Sequence, residues 1–182
     1  MQKVVLSKIN LIYGFVETPK GFEIDRKKIK NDILHSYVNE ERVSDNNLDY
    51  SYQEYKITHS QKLQWLFDYI RDHYRSEHDE TLIIKKMFGT VIPANGRSIN
   101  KNNIDPIDLK NAPDYTCLYG VDIQGKCEIT IEYDDCRRKG RTWKVSMENN
   151  KYYIFPSTLR YFITSSDTDK FNIILTTTYE YI

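Results

Sequence analysis

Which reactions a chain can run depends first on where its histidines, cysteines and carboxylates fall. The four histidines are His35, His59, His73 and His78. Each is able in principle to ligate a metal or move a proton near neutral pH. His73 and His78 lie five residues apart, a rotation of about 140° on a helix, so they do not share a face as an i, i+4 metal pair does. Structural or solvent-facing roles fit both better. His59, beside Thr58, reads as helix-start surface, and His35, next to an apolar stripe, as a satisfied boundary residue. Cys117, Cys127 and Cys136 are odd in number and form no CxxC pair, which fits reduced thiols in a cytosolic setting. The adjacent carboxylates Glu40-Glu41 and Asp134-Asp135 point apart in regular structure and make no acid–base pair. Asn95-Gly96-Arg97-Ser98 lacks the second glycine and the Gly-Lys-Ser/Thr ending of a phosphate loop. The run Asp134 to Arg141 holds Arg137, Arg138 and Arg141, a possible anion contact. Its neighbouring acids and lack of interleaved aromatics favour a solvated hairpin tip. These residue types and spacings assign no catalytic, cofactor-binding or metal-binding residue.

Composition narrows the partners. Among 182 residues, 26 basic side chains balance 26 acidic ones, leaving no electrostatic footprint for nucleic acid or an anionic membrane. No run approaches the ~20 apolar residues needed to span a bilayer. The N-terminus, Met1 to Lys8, has a lysine within its apolar run and no small-residue cleavage site, so it is not read as a signal peptide. Fifteen tyrosines tilt the expectation towards pleated, half-buried surfaces.

The elements that must position any site follow from periodicity. Val4 to Val16 reads as an opening strand or two, broken by Pro19 and Gly21. Ile24 to Val38 is a helix, with Asp25 as N-cap and Ile29, Ile33 and Tyr37 on one stripe. Asn39 to Tyr55 reads as a polar loop. A second helix starts near Thr58, whose spacing to Gln61 fits a capping box. Leu63, Leu66, Phe67, Ile70 and Tyr74 carry its buried face. From Thr81 the period changes to that of strands: 81–92, then 115–123, 126–133, 141–147, 151–155, 159–164 and 170–181. Between the first two of these, Pro93 to Pro113 reads as a long polar loop. Cys127, Ile129, Ile131 and Tyr133 alternate with Glu128, Thr130 and Glu132, the mark of a strand buried on one face. The last strand is expected to be either a closing strand or an edge used by another subunit.

Taken together, Tyr153-Ile154-Phe155-Pro156-Ser157-Thr158-Leu159-Arg160-Tyr161, Lys170-Phe171-Asn172-Ile173-Ile174-Leu175 and Tyr115-Thr116-Cys117-Leu118-Tyr119-Gly120-Val121 resemble strands of the small iron- and 2-oxoglutarate-dependent oxygenases common in bacteriophage genomes. That resemblance implies an α+β fold, with an N-terminal strand and two helices packed on an antiparallel double-stranded β-helix, or jelly roll. A single domain over 1–182 is expected, with the strand and helices in 1–79 and the jelly-roll strands in 80–182. In that family a His-x-Asp pair, a last His and an Arg hold iron and 2-oxoglutarate. Here the corresponding loop, Arg97 to Asp105, offers Asp105 but no imidazole, Tyr161 stands for the last His, and Lys170 for the Arg. The expectation is therefore a non-catalytic structural or adaptor protein without metal or cofactor. It would belong to a phage virion (tail, neck or baseplate) and act through contacts with other protein subunits or its own copies. It would not bind nucleic acid or membrane, and its location would be the host cytoplasm or the particle. One alternative is an oxygenase with a displaced iron site, built from Asp105 with His59, His73 or His78. The other is a metal-free module binding a small ligand or glycan in the jelly-roll mouth, lined by Trp143, Tyr119 and Tyr161.

Overall fold

A computed structural model describes residues 9–18, 26–41, 43, 53–78, 80–104, 106–136 and 139–182. Strand β1 (Ile12–Phe15) is followed by helices α1 (Arg26–Val38) and α2 (Gln61–Glu77), and then by seven strands. These are β2 (Leu82–Ile92), β3 (Tyr115–Asp122), β4 (Lys126–Cys136), β5 (Lys139–Ser146), β6 (Lys151–Pro156), β7 (Arg160–Ser166) and β8 (Asn172–Tyr181). They form a five-stranded sheet in the order β1-β6-β3-β8-β2 and a three-stranded sheet in the order β5-β4-β7, with antiparallel pairing throughout. The protein is thus α+β, two antiparallel sheets with two helices, in the manner of a jelly roll.

The two helices cover one face of the larger sheet. Leu63, Leu66, Phe67, Ile70 and Tyr74 bury the periodic face of α2. They meet Cys117, Tyr119, Tyr152, Ile154, Leu175 and Tyr179. Burial of such side chains is worth about 1.5–3 kcal/mol each relative to exposure. The α2 cap is Ser60, whose hydroxyl accepts from the Leu63 amide at 3.2 Å, and not Thr58. Ser60 stands immediately before the first helical residue, where its oxygen reaches a first-turn amide that has no partner within the helix. The expected cap of α1, Asp25, lies outside the described residues. Helix α1 sits so close to β2 that a Cβ on Gly89 would lie 2.5 Å from Ile33 Cγ1, so only glycine fits there.

The second face of the larger sheet meets the smaller one. Odd-numbered residues of β4 point inward as their alternation predicted: Cys127, Ile129 and Ile131 pack with Ile92, Leu118, Tyr153, Phe155, Ile163 and Ile174. Gln124-Gly125 and Asn149-Asn150 read as hairpin turns in the sequence, but they carry the chain from one sheet to the other, β3 to β4 and β5 to β6. Gly125 at φ 71° and Asn150 at φ 65° take the left-handed region that glycine and asparagine tolerate best. Strand β8 lies between β2 and β3, so it is a closing strand with both edges paired and not an edge open to a partner.

One expected loop differs from what its composition implied. Within Pro93 to Pro113, Arg97 bridges Thr164 and Lys101 bridges Tyr161. The Ser98 amide also donates to the Ile163 carbonyl at 2.8 Å. These bridges lay the segment alongside β7, as a further lane of the smaller sheet. Its polar residues mask a strand because many of them serve the interior.

Candidate functional site

The site lies between the sheets, where β7 begins. Antiparallel register fixes it: Lys101 and Tyr161 exchange backbone hydrogen bonds at 3.0 and 2.8 Å. The two stretches that the resemblance marked for metal ligands therefore do come together. They bring a lysine and a tyrosine, where imidazoles were required. Lys101 is only 4% exposed, and its Nζ lies 2.6 Å from Glu54 Oε1. Glu54 Oε2 lies 3.0 Å from Lys86 Nζ on β2. One carboxylate thus bridges two ammonium groups, and both ammoniums stand over the Phe88 ring, at 4.5 Å for Lys101 and 5.4 Å for Lys86. Burial pulls the Lys101 ammonium below the ordinary lysine pKa, while the Glu54 carboxylate pulls the other way.

A neutral network completes the site. Asn103 Nδ2 donates to Thr116 Oγ1 at 2.9 Å and to the Tyr161 hydroxyl at 3.3 Å. Thr116 Oγ1 also bonds Ser157 Oγ at 2.9 Å, and both residues are fully buried. Ser157 belongs to the Phe-Pro-Ser motif, whose role here is to anchor this network. Burial raises the Tyr161 phenol well above its usual pKa, so it stays protonated.

Glu54 arrives from outside the barrel. Residues 53–55 form a strap across β2: Tyr55 exchanges backbone bonds with Gly89 at 2.9 and 2.8 Å, and Gln53 Oε1 accepts from the Ile99 amide at 2.9 Å. The strap lies in the stretch expected as a plain loop. Nothing in its sequence marks Glu54, because its partners are 32 and 47 positions away. Lys86 left only a faint signal, a charged side chain on the inward register of a long strand.

A ferrous site in this fold would need two imidazoles and a carboxylate facing one metal. Lys101, Asn103 and Tyr161 supply none of these, and Glu54 is already neutralised by two lysines. The residues present do not fit iron. Among the described residues no cluster of three or more His, Cys, Asp and Glu side chains could hold a metal ion. The displaced site does not assemble among them either. His59 bonds Gln64 at 3.0 Å at the start of α2. His73 bonds the Tyr152 hydroxyl on the helix-covered face of the larger sheet. His78 caps α2 and stacks on Tyr74 at 4.6 Å. His35 is exposed and bonded to Asn39, further out than the boundary position expected of it. Asp105 lies outside the described residues, as do Arg137 and Arg138.

Two further expectations need correction. Lys170 is exposed at a turn before β8 and does not enter the barrel. Trp143, Tyr119 and Tyr161 do not line one mouth. Trp143 is 55% exposed on the edge strand β5, and Tyr119 packs under the helices. A cleft of 460 Å³ does exist elsewhere, lined by Trp65, Asp68, Tyr69, Asp72 and His73 of α2. Its two carboxylates are engaged by Arg71, at 2.9 and 3.0 Å.

No protein-family model matches the chain, and no curated protein matches it in sequence. Solved structures do match in fold. AviO1 from Streptomyces viridochromogenes Tue57 aligns at a TM-score of 0.62 with 11% identity, over 94% of this chain and 90% of that one. A prolyl-4-hydroxylase from Pseudomonas putida aligns at 0.58 with 10% identity, over 93% and 91%. The non-heme α-ketoglutarate-dependent carbocyclase SnoK, from nogalamycin biosynthesis, aligns at 0.58 with 7% identity, over 93% and 78%. The chain has the double-stranded β-helix fold of 2-oxoglutarate-dependent oxygenases; at these identities the likeness is one of fold alone.

Proposed function

We propose that this chain is a non-catalytic double-stranded β-helix protein that works by binding or scaffolding. One observation carries the reading: a buried lysine, ion-paired to a buried glutamate, stands beside Tyr161 where a metal-binding relative would gather its ligands. A fixed ammonium there repels a divalent cation, and in a low-dielectric interior that repulsion is poorly screened. The test is anaerobic loading with ferrous iron and 2-oxoglutarate, followed by metal analysis and a succinate assay. The expected result is no stoichiometric iron and no succinate; stoichiometric iron with turnover overturns the reading.

The matched structures favour the second reading, an oxygenase with a displaced iron site, since those named above include a prolyl-4-hydroxylase and an α-ketoglutarate-dependent carbocyclase. The same iron and succinate measurements decide it. A place in a phage particle rests on the resemblance in sequence and draws no support from these structures; detection of the chain in purified virions by mass spectrometry would supply it.

A further inference from the structure

We propose that Lys86 and Lys101, above the Phe88 ring, form a carboxylate-binding site whose resident ligand is the chain's own Glu54. Each carboxylate oxygen takes one ammonium, Oε1 from Lys101 at 2.6 Å and Oε2 from Lys86 at 3.0 Å. Two ammonium groups thus converge on one carboxylate, and the charge of Lys101, 4% exposed, is offset by it. Charge-assisted bonds of this kind are about twice as strong as neutral ones. The ligand is held on a separate piece of chain, the strap tied to Gly89 and to Ile99. The rest of the site belongs to β2 and to the lane beside β7. Tethering gives Glu54 an effective concentration that a free carboxylate cannot match, so the wild-type site is closed to competitors.

The site is opened by Glu54→Ala. That substitution removes the atoms of an acetate-sized group, and acetate is the probe. Thermal unfolding is followed in acetate and in chloride at equal ionic strength, for wild type, Glu54→Ala and Glu54→Ala/Lys101→Met. The single variant is expected to melt lower than wild type in chloride. Acetate should then raise its melting temperature saturably, by about 3–6 °C at ten times the dissociation constant. Wild type and the double variant should show no such rise. If Glu54→Ala does not fold in chloride, its refolding yield in acetate against chloride reads the same quantity. Equal behaviour of the single variant in the two salts overturns the proposal. The inference rests on the metal-free reading of this site, but the two fail separately: iron retention sinks that reading, and indifference to acetate sinks this one.

Discussion

The space between the two sheets holds two kinds of interior. In its middle Leu118, Ile129, Ile163 and Ile174 are almost fully buried and need only match in volume. Where β7 begins, Lys101, Glu54, Asn103, Thr116, Ser157 and Tyr161 are held by directed bonds. The apolar stretch gains stability from every methylene it hides, and repacking softens each loss. The polar stretch behaves as a unit, because taking one partner away strands another without water. An ionic group in a barrel core is therefore not evidence of extra stability; hydrophobic residues of similar volume often do as well. It is evidence that this corner of the fold has been specified by charge.

That contrast can be broken most forcefully at Lys101. Lys101→Met alone should cost about 3–5 kcal/mol in urea unfolding, since Glu54 is left buried with only its partly exposed partner Lys86. Glu54→Leu with Lys101→Met should recover most of that loss; equal costs for the single and double variants would mean that the two residues are not coupled. Leu118→Ala probes the apolar stretch and should cost about 2–5 kcal/mol, the cavity left behind deciding where in the range it falls. A second apolar substitution at Ile163 would show whether that stretch adds as independent terms. The smallest effect is expected for Thr116→Val, at about 1–2 kcal/mol, because Asn103 and Ser157 each lose a partner while the shape is kept. A loss below the detection limit there would show that Asn103 and Ser157 satisfy each other without Thr116.

Much of the scaffold was legible in the residues. The alternation in β4 and the five apolar positions of α2 rest on local periodicity. Gly125 and Asn150 do mark bends, but the hairpins read there are crossings between sheets, which local chemistry does not reveal. The jelly-roll character followed from the Phe-Pro-Ser strand and its companions. The site was legible only in outline. Tyr161 and the segment from Arg97 were singled out, and they do meet. Glu54, Lys86, Lys101 and Asn103 escaped notice because their meaning lies in long-range pairing, and no spacing rule links a strap before α2 to a strand beside β7. The lane at residues 97–101 was read as loop for the same reason, its inward side being polar where a strand's is usually apolar. Ser60 displaced Thr58 as cap because two competent residues stood two positions apart and only backbone geometry chooses between them.

The central position of β8 has a consequence for how the molecule is made. β2 and β3 each pair with β8, synthesised some fifty to a hundred residues later, so during translation the larger sheet stays in two pieces whose facing edges have no partner. Those edges are the aggregation-prone stage of biogenesis, and insertion of Asn172–Tyr181 between them is the event that ends it.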